Sequence, residues 1–130
     1  VYQKEEIKLA NQNNYDTFLE LIKKSDTKSD CPVKYSIEQI GGKWKPRIIL
    51  QLFKNDTIRF NELKREMKGI TNTMLSNSLK ELENDQIIER IQYNEMPLRV
   101  EYNLKDKGRS LLPLIYELSV WGIEQMKSGD

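Results

Sequence analysis

No acidic residue occurs between Gly69 and Lys80. That run offers Asn72, Thr73, Ser76, Asn77, Ser78 and Lys80 to the polar side of a helix, in a chain whose residues are 32% charged. Just upstream, Glu62, Lys64, Arg65 and Glu66 show the mixed signs usual on a solvated helix face. Small amides and hydroxyls free of acids can lie against base edges without repelling phosphates, and an Asn amide matches the donor and acceptor of adenine in a major groove. The plain alternative is a polar helix face with no task. A second acid-free stretch, 41–55, places Lys43, Lys45 and Arg47 at the start of another helix. Such a cluster suits phosphate, through charge and through the helix N-terminus, although solvation alone would also explain it. Arg99 follows a turn and can clamp phosphate or enter a minor groove, or pair with Glu101 or Glu89 as a surface salt bridge.

Other chemistry is narrowed by what the chain lacks. Its 130 residues include no histidine and one cysteine, Cys31. Without histidine there is no Ser-His-Asp or Cys-His nucleophile activation and no imidazole metal ligand. A lone cysteine allows neither an intrachain disulfide nor a Cys-cluster metal site, and suits a reducing compartment. Carboxylates are scattered over helix faces and no Gly-rich phosphate loop is present, so the expectation is no catalytic residue, no metal, no cofactor and no enzyme. The net charge of +1, from 21 Lys+Arg against 20 Asp+Glu, conceals the two acid-free stretches. With 38% hydrophobic residues, no apolar run long enough for a membrane span and no signal-peptide pattern, a cytoplasmic chain with one main core is expected, with no membrane partner.

The elements that must position these side chains follow from hydrophobic spacing and from Pro and Gly punctuation. Residues 1–30 are acidic by one charge, with a helix predicted after Asn14 through Tyr15, Phe18, Leu19 and Ile22 to about Lys24, and a linker at 25–30. Pro32 opens a helix with Val33, Tyr35, Ile37 and Ile40, ended by Gly41-Gly42. Pro46 lies in the first turn of the next, which carries Ile48, Ile49, Leu52 and Phe53. A small strand near Thr57-Ile58-Arg59-Phe60 and a short helix at about 61–67 lead to Gly69. Thr71 then caps a helix with Leu75, Leu79 and Leu82 at i, i+4 and i+7. Residues 87–93 and 98–104 alternate as two strands of a hairpin, broken at Asn94-Glu95-Met96-Pro97. One long helix, bent by Pro113, is predicted at about 106–127. Its apolar residues, from Leu111, Leu112, Leu114, Ile115 and Leu118 to Trp121, Ile123 and Met126, exceed the stripe that one domain would cover, which calls for a second buried face. The order of helix, small strand, helix, helix, strand, wing and strand is a mainly α fold with a small β-hairpin, α+β in class, on the winged helix-turn-helix plan with terminal dimerisation helices. The expected division is a helical extension and linker at 1–30 and a domain at 31–127.

Cys31-Pro32, Ile40-Gly41-Gly42-Lys43-Trp44, Arg59-Phe60-Asn61-Glu62-Leu63, Gly69-Ile70-Thr71 with Met74-Leu75, Leu79-Lys80-Glu81-Leu82-Glu83, Pro97-Leu98-Arg99-Val100-Glu101-Tyr102 and Gly108-Arg109-Ser110-Leu111-Leu112-Pro113 stand in the order seen in the HxlR-type winged-helix regulators, a MarR-like group. Over about residues 31–122 the chain closely resembles that family. The resemblance implies a homodimeric transcriptional regulator, expected to be a repressor, that binds an inverted-repeat operator on double-stranded DNA. A small-molecule effector is a further candidate partner. It places the recognition helix at 71–83, with Asn72, Thr73, Ser76 and Asn77 facing bases and Lys80 facing phosphate. The wing falls at 93–99 with Arg99, and Lys43 and Arg59 join the DNA-binding candidates. Many relatives have lysine where Thr73 stands, so this surface carries one positive charge fewer. Dimerisation is placed on the terminal helices, through Phe18, Leu19 and Ile22 and through Leu111, Ile115, Leu118 and Trp121. In oxidant-sensing members the reactive thiol occupies the position of Cys31. A helix N-terminus favours its thiolate and Asp30 opposes it, and a small packing residue is the other reading. A winged helix used only for protein contact is the competing class.

Overall fold

The computed structural model describes residues 15–24 and 32–128. The chain divides into two compact units, Val1–Glu38 and Gln39–Asp130.

In the first unit, α1 (Tyr15–Lys24) has Asp16 in its first turn and Lys23 and Lys24 in its last, each sign matched to the helix dipole. Phe18 and Leu21 are half-buried, whereas Tyr15, Leu19 and Ile22 are exposed. Helix α2 (Pro32–Ile40) opens on its proline. Ser36 Oγ donates to the Pro32 carbonyl at 3.0 Å, and Lys34 and Glu38 stand 3.9 Å apart. Of the four apolar positions expected to point inward, Val33, Tyr35 and Ile37 are exposed and only Ile40 is buried, because the core begins at the last residue of α2.

The second unit carries the interface candidates. Gly42, at φ +100°, makes the turn into α3 (Lys45–Asn55), which buries Ile48, Ile49 and Leu52. Phe53 stays outside, half-exposed, with the Arg109 guanidinium 5.9 Å from its ring. Strand β1 (Ile58–Arg59) runs directly into α4 (Phe60–Glu66), where the Arg59 N–H donates to the Glu62 carboxylate at 3.3 Å. Leu63 and Met67 are fully buried. Gly69, at φ +90°, turns the chain into α5 (Asn72–Asn84). Thr71 is its N-cap, accepting from the Met74 N–H at 3.1 Å, and Leu75, Leu79 and Leu82 are buried as their spacing predicts.

Strands β2 (Ile88–Tyr93) and β3 (Arg99–Leu104) form the hairpin, with Ile88 opposite Leu104 and Tyr93 opposite Arg99. The residues between them, 94–98, form the wing tip and include a cis Met96–Pro97 bond. Sequence spacing did not reveal that β1 joins the other side of β3, pairing Ile58 with Tyr102 and Arg59 with Glu101, so the sheet order is β1-β3-β2. Polar staples fasten the chain on either side of the hairpin to the end of α5 and to Gln39. The Ile87 N–H donates to the Leu82 carbonyl at 2.9 Å, and Lys107 Nζ donates to the Asp85 carbonyl at 2.7 Å and to Gln39 Oε1 at 2.8 Å.

The predicted long final helix is two helices, α6 (Asp106–Arg109) and α7 (Leu112–Ser128). The chain breaks at Ser110-Leu111 and Pro113 becomes the second residue of a new helix, where its ring costs nothing because no intrahelical donor is needed there. Gly108 is forced by packing, since a Cβ there would collide with the Ile87 carbonyl oxygen and lie 2.8 Å from Leu104 Cδ2. Ile115 is buried, and Leu111 and Leu112 pack against the core. Among the described residues no helix is long and apolar enough to cross a membrane, and no acidic or thiol cluster could hold a metal.

Candidate nucleic-acid interface

The two faces of α5 separate cleanly. Leu75, Leu79 and Leu82 anchor one side, and Asn72, Thr73, Asn77 and Lys80 are exposed on the other, with Ser76 half-buried among them. At 3.6 residues per turn these five polar positions span an arc of about 140°. Ser78, counted with them in sequence, is half-buried and falls outside that arc. The first turn of α5 has no acid and its last turn no base, so the outward N-terminal half presents neutral donors and acceptors with Lys80 behind them.

Arg99 is not loose in the wing. Its guanidinium lies 3.9 Å from the centre of the Tyr93 ring and donates to Glu95 at 3.0 Å, and its Nε is buried without a hydrogen-bond partner. Neither Glu101 nor Glu89, the partners suggested by the sequence, is its ion-pair partner. The hairpin register explains this: Tyr93 and Arg99 are directly opposite, so the cation rests on the ring facing it. Arg99 thus sits at the root of the wing, on an open cleft of about 690 Å³ lined by Arg59, Phe60, Asn61, Glu62, Arg65, Leu98 and Val100 as well. Three guanidinium groups against one carboxylate make this cleft cationic. Arg59 was legible as a candidate; Arg65 was not, because in sequence it is one of several alternating charges on a short helix.

The basic cluster at the start of α3 splits in two. Lys43 and Arg47 are exposed and flank the Trp44 ring at 5.0 and 4.9 Å, while Trp44 itself is buried in the core. Lys45 turns inward, only 9% exposed, and meets Glu81 on α5 at 2.6 Å. It ties α3 to α5 and leaves two cations, not three, on that surface. On α7, Ile115 belongs to the chain's own core and Leu111 packs on it, so of the dimerisation candidates there Leu118 and Trp121 face outward, with Ile123 and Met126 also exposed. Cys31 lies outside the described residues.

A capped polar helix behind a glycine turn, followed by a β-hairpin whose tip projects from a three-stranded sheet, is a winged helix-turn-helix DNA-binding domain. Comparison with known proteins narrows the class. The family model for the HxlR-like helix-turn-helix matches residues 39–130. YdzF of Bacillus subtilis strain 168, an HTH-type transcriptional regulator, is 51% identical over 95 residues, which are 73% of this chain and 87% of that protein. Among solved structures, the redox regulator HypR in its oxidised form superposes with a TM-score of 0.67 at 39% identity, over 72% of this chain and 96% of that one. A MarR-family transcriptional regulator from Porphyromonas gingivalis W83 superposes at 0.71 with 40% identity, over 78% and 98%. The chain belongs to the HxlR-like helix-turn-helix family of transcriptional regulators and is not an enzyme.

Proposed function

We propose that this regulator is a homodimer in the cytoplasm that recognises an inverted-repeat operator and represses adjacent genes. Residues 31–127 serve as its DNA-binding domain and 1–30 as a helical extension. Helix α5 enters the major groove, where Asn72, Thr73, Ser76 and Asn77 meet base edges and Lys80 meets phosphate. The wing covers the flanking minor groove, with Arg99 and Arg59 on the phosphates between the grooves and Lys43 on the backbone beyond. The observation that carries this reading is the exposed polar face of α5 over residues 72–80, which holds no acid and is backed by the buried Leu75, Leu79 and Leu82. Selection of bound sequences from random duplex DNA, followed by gel shifts at two salt concentrations, tests it. An enriched palindrome whose affinity falls steeply with salt is expected, since each phosphate neutralised releases counterions. Enrichment of nothing, with salt-insensitive binding, overturns it in favour of a domain used for protein contact.

Dimerisation through the terminal helices is supported by the exposed apolar side chains of α7, among them Leu118 and Trp121. Response to oxidants or electrophiles through Cys31 is supported by likeness to HypR, which has been solved in an oxidised form. With one thiol per chain, a disulfide at Cys31 can be only intersubunit or mixed with another thiol. If Cys31→Ser protein loses operator affinity on diamide treatment as the wild type does, the thiol is not the sensor.

A further inference from the structure

The wing tip carries two exposed apolar residues, Met96 and Leu98, where a turn ordinarily places Gly, Pro, Asn, Asp or Ser. Met96 is 99% exposed, Leu98 57%, and Pro97 between them is exposed as well. A side chain left wholly in water contributes no packing to the fold, so Met96 has no intramolecular reason to be apolar. The cation that would be expected to lead the wing into a groove is held back, since Arg99 is stacked on Tyr93 and paired with Glu95 at the hairpin's root. The same ion pair offsets the charge of the half-exposed Glu95 carboxylate beside the tip.

We propose that Met96 and Leu98 are the residues that enter the minor groove beside each half-site. There they act as an apolar wedge against the sugars and one base step, and favour a readily unstacked pyrimidine–purine step at a position the protein does not hydrogen-bond. This rests on the DNA-binding reading above. The occupant is DNA because Leu98 lines the same cleft as Arg59, Arg65 and Arg99, three guanidinium groups against the one carboxylate of Glu62, a charge balance that suits a phosphate backbone beside the apolar tip. Two side chains are also far too little apolar area for a stable protein contact.

The test uses the full chain and a duplex selected by it, with 2-aminopurine substituted in turn at each flanking step. Wild-type protein is expected to brighten the probe at one step beside each half-site. Met96→Ala/Leu98→Ala protein is expected to lose that signal and to bind about tenfold more weakly, the effect of withdrawing one well-buried apolar side chain's worth of contact. It keeps the base preference under α5 and the slope of affinity against salt, because an apolar contact releases no counterion. No brightening at any flanking step, or full affinity in the double variant, overturns the wedge while leaving the DNA-binding reading intact. A changed sedimentation profile of the double variant assigns the tip to a second copy of the chain instead and likewise overturns it. Failure of the wild type to select any duplex removes the DNA-binding reading and the wedge with it.

Discussion

Replacing Glu81 with glutamine leaves the Lys45 ammonium in place and takes away the carboxylate 2.6 Å from it. The side chain of Lys45 is 11% exposed and that of Glu81 60%, so the pair falls between two known limits. Fully exposed pairs contribute about 0.2–1 kcal/mol, whereas stripping one partner from a buried pair costs about 3–5 kcal/mol. With one partner buried and the other in water that screens it, a loss of about 1.5 kcal/mol is expected for Glu81→Gln. Lys45→Met removes the charge that needs compensation and keeps most of the apolar stem, so it should stay within about 0.5 kcal/mol of wild type. The double variant should match Lys45→Met rather than sum the two losses. Urea unfolding at one fixed protein concentration, followed by circular dichroism, reads these differences as midpoint shifts at constant m, and a melting curve should show Glu81→Gln lower by about 6 °C. A Lys45→Met protein that loses as much as Glu81→Gln would refute the reasoning, because the contact would then be worth its attraction rather than the relief of a buried charge. Functionally, the pair is a tie between α3 and the reading helix, so Glu81→Gln should also weaken operator binding with no change in base preference.

Further outcomes follow from the same geometry. Gly108→Ala drives a methyl into the Ile87 carbonyl and Leu104 and should cost about 2 kcal/mol or more, seen as a lower melting temperature; an unchanged one would mean that the α6 junction yields freely. Lys80→Ala should weaken binding on all duplexes and reduce the salt slope by about 1, whereas Asn77→Ala should relax preference at one base position by about 1–3 kcal/mol in competition gel shifts. If the proposed dimer forms through α7, Trp121→Glu, which puts a charge on an exposed apolar face, should give monomer in sedimentation at micromolar protein, and truncation of residues 1–30 should weaken the dimer. Retained dimers in both would place the subunit contact elsewhere.

Much of this architecture is legible in the chain because its punctuation is strong. Pro32, Pro46 and Gly69 mark element ends by backbone chemistry alone, and the 75/79/82 spacing fixes the inward side of α5 before any neighbour is known. The polar face opposite follows at once, so the centre of the candidate site is readable. Features made by distant residues are not. Nothing near Lys45 distinguishes it from Lys43, and only the approach of α5 makes one an internal ion-pair partner and leaves the other in water. The pairing of the two-residue β1 with β3, and the cleft that this creates, depend in the same way on tertiary proximity. The break at Ser110-Leu111 was hidden because Pro113 is compatible with both a bent helix and the first turn of a fresh one. Arg99 lies in between, since its partner Tyr93 follows from hairpin register once the loop length is known.

The thirteen residues of α5 keep their two tasks on separate positions, 75, 79 and 82 inside and 72, 73, 76, 77 and 80 outside. On the proposed reading, a substitution at one of the four exposed positions, 72, 73, 77 or 80, would alter the message read without disturbing the packing that holds the reader. Such a helix can drift from one operator to another through single exchanges, each leaving a folded protein. Two copies of such a gene could therefore come to recognise different sites while sharing a core. Thr73, exposed in the first turn, stands at one of those outer positions.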